Sequence, residues 1–119
     1  MISKIREKLD SLNYLIEEQD LTFEKIDENT FKLEGRIVFS NGYILDFMEY
    51  SSSRNHDYRF HLMDELKNLV TRWDNAPHHE ELDNFPYHVH ESDDVVEPDK
   101  ERSIIEIFEE VESIIVQDL

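Results

Sequence analysis

The chain has 119 residues, no cysteine and a net charge of −17. A chain of this length forms one domain over residues 1–119 and can bury one core without staples. The missing thiols exclude a disulfide framework, a cysteine nucleophile and a thiolate metal site. The acid excess argues against broad, non-specific nucleic-acid binding, which depends on Lys and Arg meeting phosphates.

No apolar run is long enough to span a membrane, and the first residues carry Glu7 and Asp10 with no signal-like apolar stretch behind them. A cytoplasmic location is therefore expected. Ile2, Ile5, Leu9, Leu12, Leu15 and Ile16 recur at helical spacing and predict a helix over about 2–19. Runs rich in aromatic and β-branched residues follow at 21–27, 31–39, 43–51, 57–63 and 67–73. They are separated by turn residues and predict the strands of an antiparallel meander.

Asn41-Gly42 predicts a two-residue turn that pairs Ser40 with Tyr43, Phe39 with Ile44 and Ile37 with Asp46. In that register Phe31, Leu33, Ile37, Phe39, Ile44, Met48 and Tyr50 face the core. Lys32, Glu34, Arg36, Phe47 and Glu49 face the other way, and Arg59 and His61 of the next strand join Glu49. Asp46 falls on the apolar face, where this register gives it no partner.

From 74 to 98 there is no periodicity, and all three prolines lie here. A structureless stretch of this length in a compact domain usually has a job. It reads as an ordered arm, anchored by Trp73 and Phe85 buried against the sheet or a second subunit. A closing helix over about 103–117 carries Ile104, Ile105, Phe108, Val111, Ile114 and Ile115 on one face, and Ser103 with Glu106 fits a capping box. The fold class is α+β: an antiparallel meander of four to five strands, N- and C-terminal helices on one face, and a long His-rich arm.

The arm holds four of the six histidines: His78, His79, His88 and His90. Three readings stand side by side. In an extended strand His88 and His90 point the same way, and with His78 or His79 and Asp74 they could hold a divalent metal. Alternatively, two histidines in different protonation states, with Arg59 or Arg72 beside a developing negative charge, suit metal-free phosphodiester cleavage or nucleotidyl transfer. The third reading is surface decoration, with Trp73, Phe85 and Tyr87 serving only as anchors.

Arg72-Trp73-Asp74-Asn75-Ala76-Pro77-His78-His79, followed by Phe85-Pro86-Tyr87-His88-Val89-His90, resembles the signature of the TumE family of toxin–antitoxin proteins. Glu49-Tyr50 and Tyr58-Arg59-Phe60-His61 look like further elements of that pattern, and Tyr87 stands where the family has a histidine. The resemblance implies a small prokaryotic toxin paired with a helix-turn-helix antitoxin, and RNA or a nucleotide as substrate by analogy with other small toxins. Whether the chain is an enzyme stays open at this point. With the register above, Glu49, Arg59, His61, Arg72, Asp74, His78, His79, His88 and His90 form the candidate site. The reading from another class is a non-catalytic interaction protein, metal-binding or not, that uses the arm to dock on a partner or to form a homodimer.

Overall fold

The computed structural model describes residues 2–119. Helix α1 (Ile2–Ser11) and a 3-10 turn (Asn13–Leu15) lead into seven strands: β1 (Ile16–Asp27), β2 (Thr30–Phe39), β3 (Ile44–Ser51), β4 (His56–Met63), β5 (Leu69–Asp74), β6 (His88–Glu91) and β7 (Val96–Pro98). Helix α2 (Ile104–Gln117) closes the chain. The strands lie in sequence order and every neighbouring pair is antiparallel. The molecule measures 37 × 37 × 19 Å, the thickness of one sheet carrying one layer of helices. Among the described residues no helix is long and apolar enough to cross a membrane.

The sheet therefore has seven strands rather than the four to five expected. The two extra strands come from the arm. His88-Val89-His90 and Val96-Glu97-Pro98 each hold too few apolar residues to show alternation, and it is backbone pairing, of β6 with β5 and of β7 with β6, that makes them strands. The first helix is also shorter than expected. Leu12 and Leu15 remain in the core, as the spacing requires. The backbone leaves the helix at Ser11, however, because Glu17-Glu18-Gln19-Asp20 offers no apolar face to hold it. Those residues instead pair with the exposed side of β2, Gln19 with Ile37 and Asp20 with Arg36.

The largest correction concerns the β2–β3 turn. The Gly42 N–H donates to the Phe39 carbonyl at 2.9 Å, and the Phe39 N–H donates to the Tyr43 carbonyl at 2.8 Å. The loop thus has three residues, Ser40 to Gly42, with Gly42 at φ 91°. This is a type I turn closed by a left-handed glycine, not the two-residue turn suggested by Asn-Gly. One added residue slides β3 by one position and turns over its whole face. Asp46 now lies opposite Arg36. Arg36 Nε donates to Asp46 Oδ1 at 2.6 Å and Nη2 donates to Oδ2 at 2.8 Å, which resolves the misplaced acid.

Leu45, Phe47 and Glu49 turn inward, while Ile44, Met48 and Tyr50 turn outward. Gly42→Val forces a β-branched residue into positive φ, and its Cβ meets Glu65 Cβ at 2.7 Å. We expect it to lose about 1–3 kcal/mol in a urea melt.

The core is continuous across the inner face. Leu33, Ile37, Phe47, Phe60, Leu62, Trp73 and Val89 from the sheet meet Ile5, Leu9 and Leu12 of the N-terminal segment and Ile107, Phe108, Val111 and Ile115 of α2. Phe47 packs edge-on against Phe108, with centroids 5.9 Å apart. The opposite sheet face mixes polar residues with Ile44 and Met48, and His79 of the arm lies over its β6 end.

Candidate functional site

Antiparallel register places two rows of side chains across the outer face. Arg59 of β4 lies opposite Asp74 of β5, and Asp74 opposite His88 of β6. One row along, His61 lies opposite Arg72, and Arg72 opposite His90. Directly paired residues on one face sit about 5 Å apart, so the six side chains form a compact block. Period-2 alternation in each strand also sends Phe60, Trp73 and Val89 into the core. Packing of these three fixes the rotation of the strands that carry the polar block.

Asp74 is the centre of the block and is only 2% exposed. Its Oδ1 lies 2.7 Å from His88 Nε2 and accepts the Ala76 N–H at 3.0 Å. Its Oδ2 accepts from Arg72 Nε at 2.9 Å and lies 3.4 Å from His90 Nε2. On the far side of its ring, His88 Nδ1 lies 2.9 Å from the Pro86 carbonyl. Polar partners thus hold both ring nitrogens of His88 in place. His88 is buried, so it orients Asp74 and the arm rather than reaching solvent.

His79 comes over the block from the arm. Its ring centroid lies 4.8 Å from that of His88 and 5.7 Å from that of His90. His79 Nδ1 is 3.5 Å from Glu81. Burial, first of all, and the charges of Arg72 and Arg59 hold His61 below the ordinary histidine value of 6.5. Burial likewise lowers His90, helped by His88, Arg72 and His79 and opposed by Asp74. Two imidazoles biased to the neutral form thus stand on either side of Arg72.

The nitrogens of His79, His88 and His90 lie within 4.8 Å of one another, close enough for three ligands of one ion after small rotations. Such an ion would have to take His88 Nε2 from Asp74, since the other ring nitrogen is held by Pro86. His78 is not part of this group: it is exposed, and it makes none of the ring contacts that join the other three.

A family model described as Toxin TumE matches residues 5–118. The chain belongs to the TumE toxin family. Neither the curated proteins nor the solved structures compared with it contain a match.

Of the candidate residues, the TumE fold brings Arg59, His61, Arg72, Asp74, His79, His88 and His90 to one face. Glu49 lies on the other. Its inward turn follows from the three-residue hairpin loop, and it serves a different cluster. Glu49 is 4% exposed. Its Oε1 accepts the Ile104 N–H at 3.1 Å, supplying the first turn of α2 with the acceptor expected from Ser103. Ser103 makes no side-chain capping bond.

Glu49 Oε2 lies 2.7 Å from His56 Nε2, and His56 Nδ1 lies 2.7 Å from Glu101. These two carboxylates, Glu49 foremost, outweigh burial and raise His56 to about 9. Nothing in the sequence marks His56, which stands alone in a turn-like stretch, 7 residues from Glu49 and 45 from Glu101.

A histidine raised in the folded state stabilises fully below about 6.5 and loses that contribution as pH climbs through about 9. Between those limits we expect a loss of about 1–2 kcal/mol, since water screens the Glu101 side. Urea melts at several pH values check it: His56→Gln should flatten this alkaline slope, and an unchanged slope would rule His56 out as its source.

Asn75 ties the two clusters together. Its Nδ2 donates to the His56 carbonyl at 2.5 Å and its Oδ1 accepts the Tyr58 N–H at 3.0 Å. The start of the arm is thereby fixed to the start of β4. Phe85 does not bury against the sheet and is 41% exposed. Trp73 does bury, at 2%. The difference is topological. Trp73 sits in a central strand with its side chain inward, whereas Phe85 sits where the arm leaves the sheet.

Proposed function

We propose that this toxin acts on RNA or a nucleotide by metal-free phosphodiester chemistry on the outer sheet face. The observation that carries the reading is the row His61–Arg72–His90: a guanidinium between two imidazoles held towards neutrality. Arg72 spends Nε on Asp74 and keeps its terminal amino groups, and Arg59 is exposed beside it. Both suit the non-bridging oxygens of a phosphate.

In an RNA substrate, His90 takes the proton of the ribose 2′-hydroxyl as that oxygen bonds to phosphorus. The phosphorus–5′-oxygen bond breaks, and His79 gives the leaving oxygen its proton. The products are a 2′,3′-cyclic phosphate and a 5′-hydroxyl, with charge balanced at each step. His61 and Arg59 hold the phosphate from the β4 side. Asp74 and His88 are positioning residues beneath it.

His79→Ala and His90→Ala should each lower toxicity by about 10²-fold or more when expressed without an antitoxin, with folding and antitoxin binding retained. Full toxicity of both variants would remove this chemistry. Because the base is held below 6.5, the acid-side fall in activity should lie below that value.

Membership of a toxin family implies an antitoxin partner. The net charge of −17 suits a basic one, in keeping with a helix-turn-helix protein. A second reading has one observation in its favour, the grouping of His79, His88 and His90. There the chain is a metal-binding interaction protein whose arm docks on a partner or on a second copy. About one equivalent of a transition metal in purified protein, lost in His79→Ala, would favour it over the first.

A further inference from the structure

Two hollows border the first turn of the arm. One, of about 420 Å³, is walled by Arg59, Arg72 and Asp74 on the outer face. The other, of about 490 Å³, is walled by Arg54, Phe85, Tyr87 and Glu101. Both are also lined by Asp57, Asn75 and Pro77, so only this short segment separates them. Asp57 is two residues along β4 from Arg59, about 7 Å at the rise of a strand.

Phe85 is the unusual wall. Its neighbours are tightly held: Asn84 Nδ2 donates to the Asp99 carbonyl at 2.6 Å, and the Tyr87 N–H donates to the Asn84 carbonyl at 3.1 Å. The Asp99 N–H donates in turn to the Tyr87 carbonyl at 3.2 Å. A phenyl ring held on a fixed backbone yet left in solvent forgoes the burial energy of its class. It is a preformed flat surface of the kind on which bases stack. Around it, Asp57 and the second oxygen of Glu101 offer acceptors, and Arg54 offers a donor.

We propose that the two hollows together bind one nucleotide, its phosphate at Arg59 and Arg72 and its base on Phe85, across the Asn75–Pro77 segment. The proposal rests on the phosphoryl reading of the outer face and names its ligand class. The carboxylate edges favour bases that present an exocyclic amino group, adenine, cytosine and guanine, over uracil.

Past Arg59 the groove runs between Asp20, Asp46 and Glu34, the last also bordering the first hollow, and its further cation, Arg36, is already paired with Asp46. A second phosphate there would meet carboxylates, so the site takes a single nucleotide unit rather than a long strand. That reconciles a nucleotide ligand with a net charge of −17. Binding should accordingly show a shallow salt dependence, set by one phosphate.

Calorimetric titration of the full chain with AMP, UMP and ribose 5-phosphate tests this. AMP should bind at least tenfold more tightly than ribose 5-phosphate and more tightly than UMP. Phe85→Ala should bring AMP down to the level of ribose 5-phosphate and leave ribose 5-phosphate unchanged, while Phe85→Tyr keeps AMP affinity. Arg59→Gln should weaken all three ligands.

Equal affinity for AMP and ribose 5-phosphate, indifference to Phe85→Ala, or no binding of either ligand would overturn the proposal. Phe85-dependent AMP binding in a chain that cleaves no RNA would uphold the nucleotide site and remove the catalytic reading. RNA cleavage unaffected by Phe85→Ala would do the reverse.

Discussion

Replacing Asp74 with alanine is expected to lower stability by about 3–5 kcal/mol and to abolish toxicity. The carboxylate is the common acceptor for His88, Arg72 and the Ala76 N–H, and it lies against His90. His88 has 3% of its side chain exposed, so no water can take over from the lost oxygen. Removing one partner of a buried charged pair leaves the other in low dielectric without compensation, and that penalty exceeds the worth of the pair itself.

The same change frees the Arg72 side chain and the first turn of the arm, so the imidazole row loses its geometry. Asp74→Asn keeps the shape but offers one acceptor oxygen where the carboxylate offers two. It should fall between parent and alanine in a urea melt. A stability of Asp74→Ala within about 0.5 kcal/mol of the parent would show that the network holds nothing in place.

The second large effect is expected at Gly35, far from the arm. A Cβ built there lies 2.3 Å from the Asp20 carbonyl oxygen and 2.8 Å from Phe47 Cζ. Phe47 is Gly35's cross-strand neighbour on β3, and its ring lies over the space a side chain would occupy. Gly35→Ala must push against the backbone of β1 on one side and a core ring on the other, costing about 2–4 kcal/mol.

Adding Phe47→Leu should recover part of the clash at Gly35 while opening space beside Phe108, with which Phe47 packs. Chemical denaturation of the two single variants and the double variant measures the coupling. Strict additivity would mean that Phe47 is not what excludes a side chain at 35. A Gly35→Ala protein as stable as the parent would mean that the sheet gives way at no cost.

The α+β class, both helix faces, the five longer strands and the family can all be read from the chain before it folds. Each of these is written in local periodicity or in a contiguous string. Leu33, Ile37 and Phe39 alternate, Ile104, Phe108 and Val111 recur at helical spacing, and Asp74-Asn75-Ala76-Pro77-His78-His79 lies in one stretch. Most of the candidate site was legible for the same reason, because the histidines of the arm crowd together in sequence.

The tertiary structure alone decided what depended on a single residue of register or on distant partners. Asn41-Gly42 fits a two-residue turn and a three-residue turn equally well as a string. The choice fell to packing, since only the longer loop sends Leu45 and Phe47 inward and sets Asp46 against Arg36. That one step carried Glu49 from the candidate site to the cap of α2 and the side of His56. His78 and His79 are adjacent in sequence, yet only His79 meets His88 and His90. Strand β6 exists because β5 offered an unpaired edge, and β7 because β6 then offered the next; the backbone groups of an edge find partners whatever side chains the pairing strand carries.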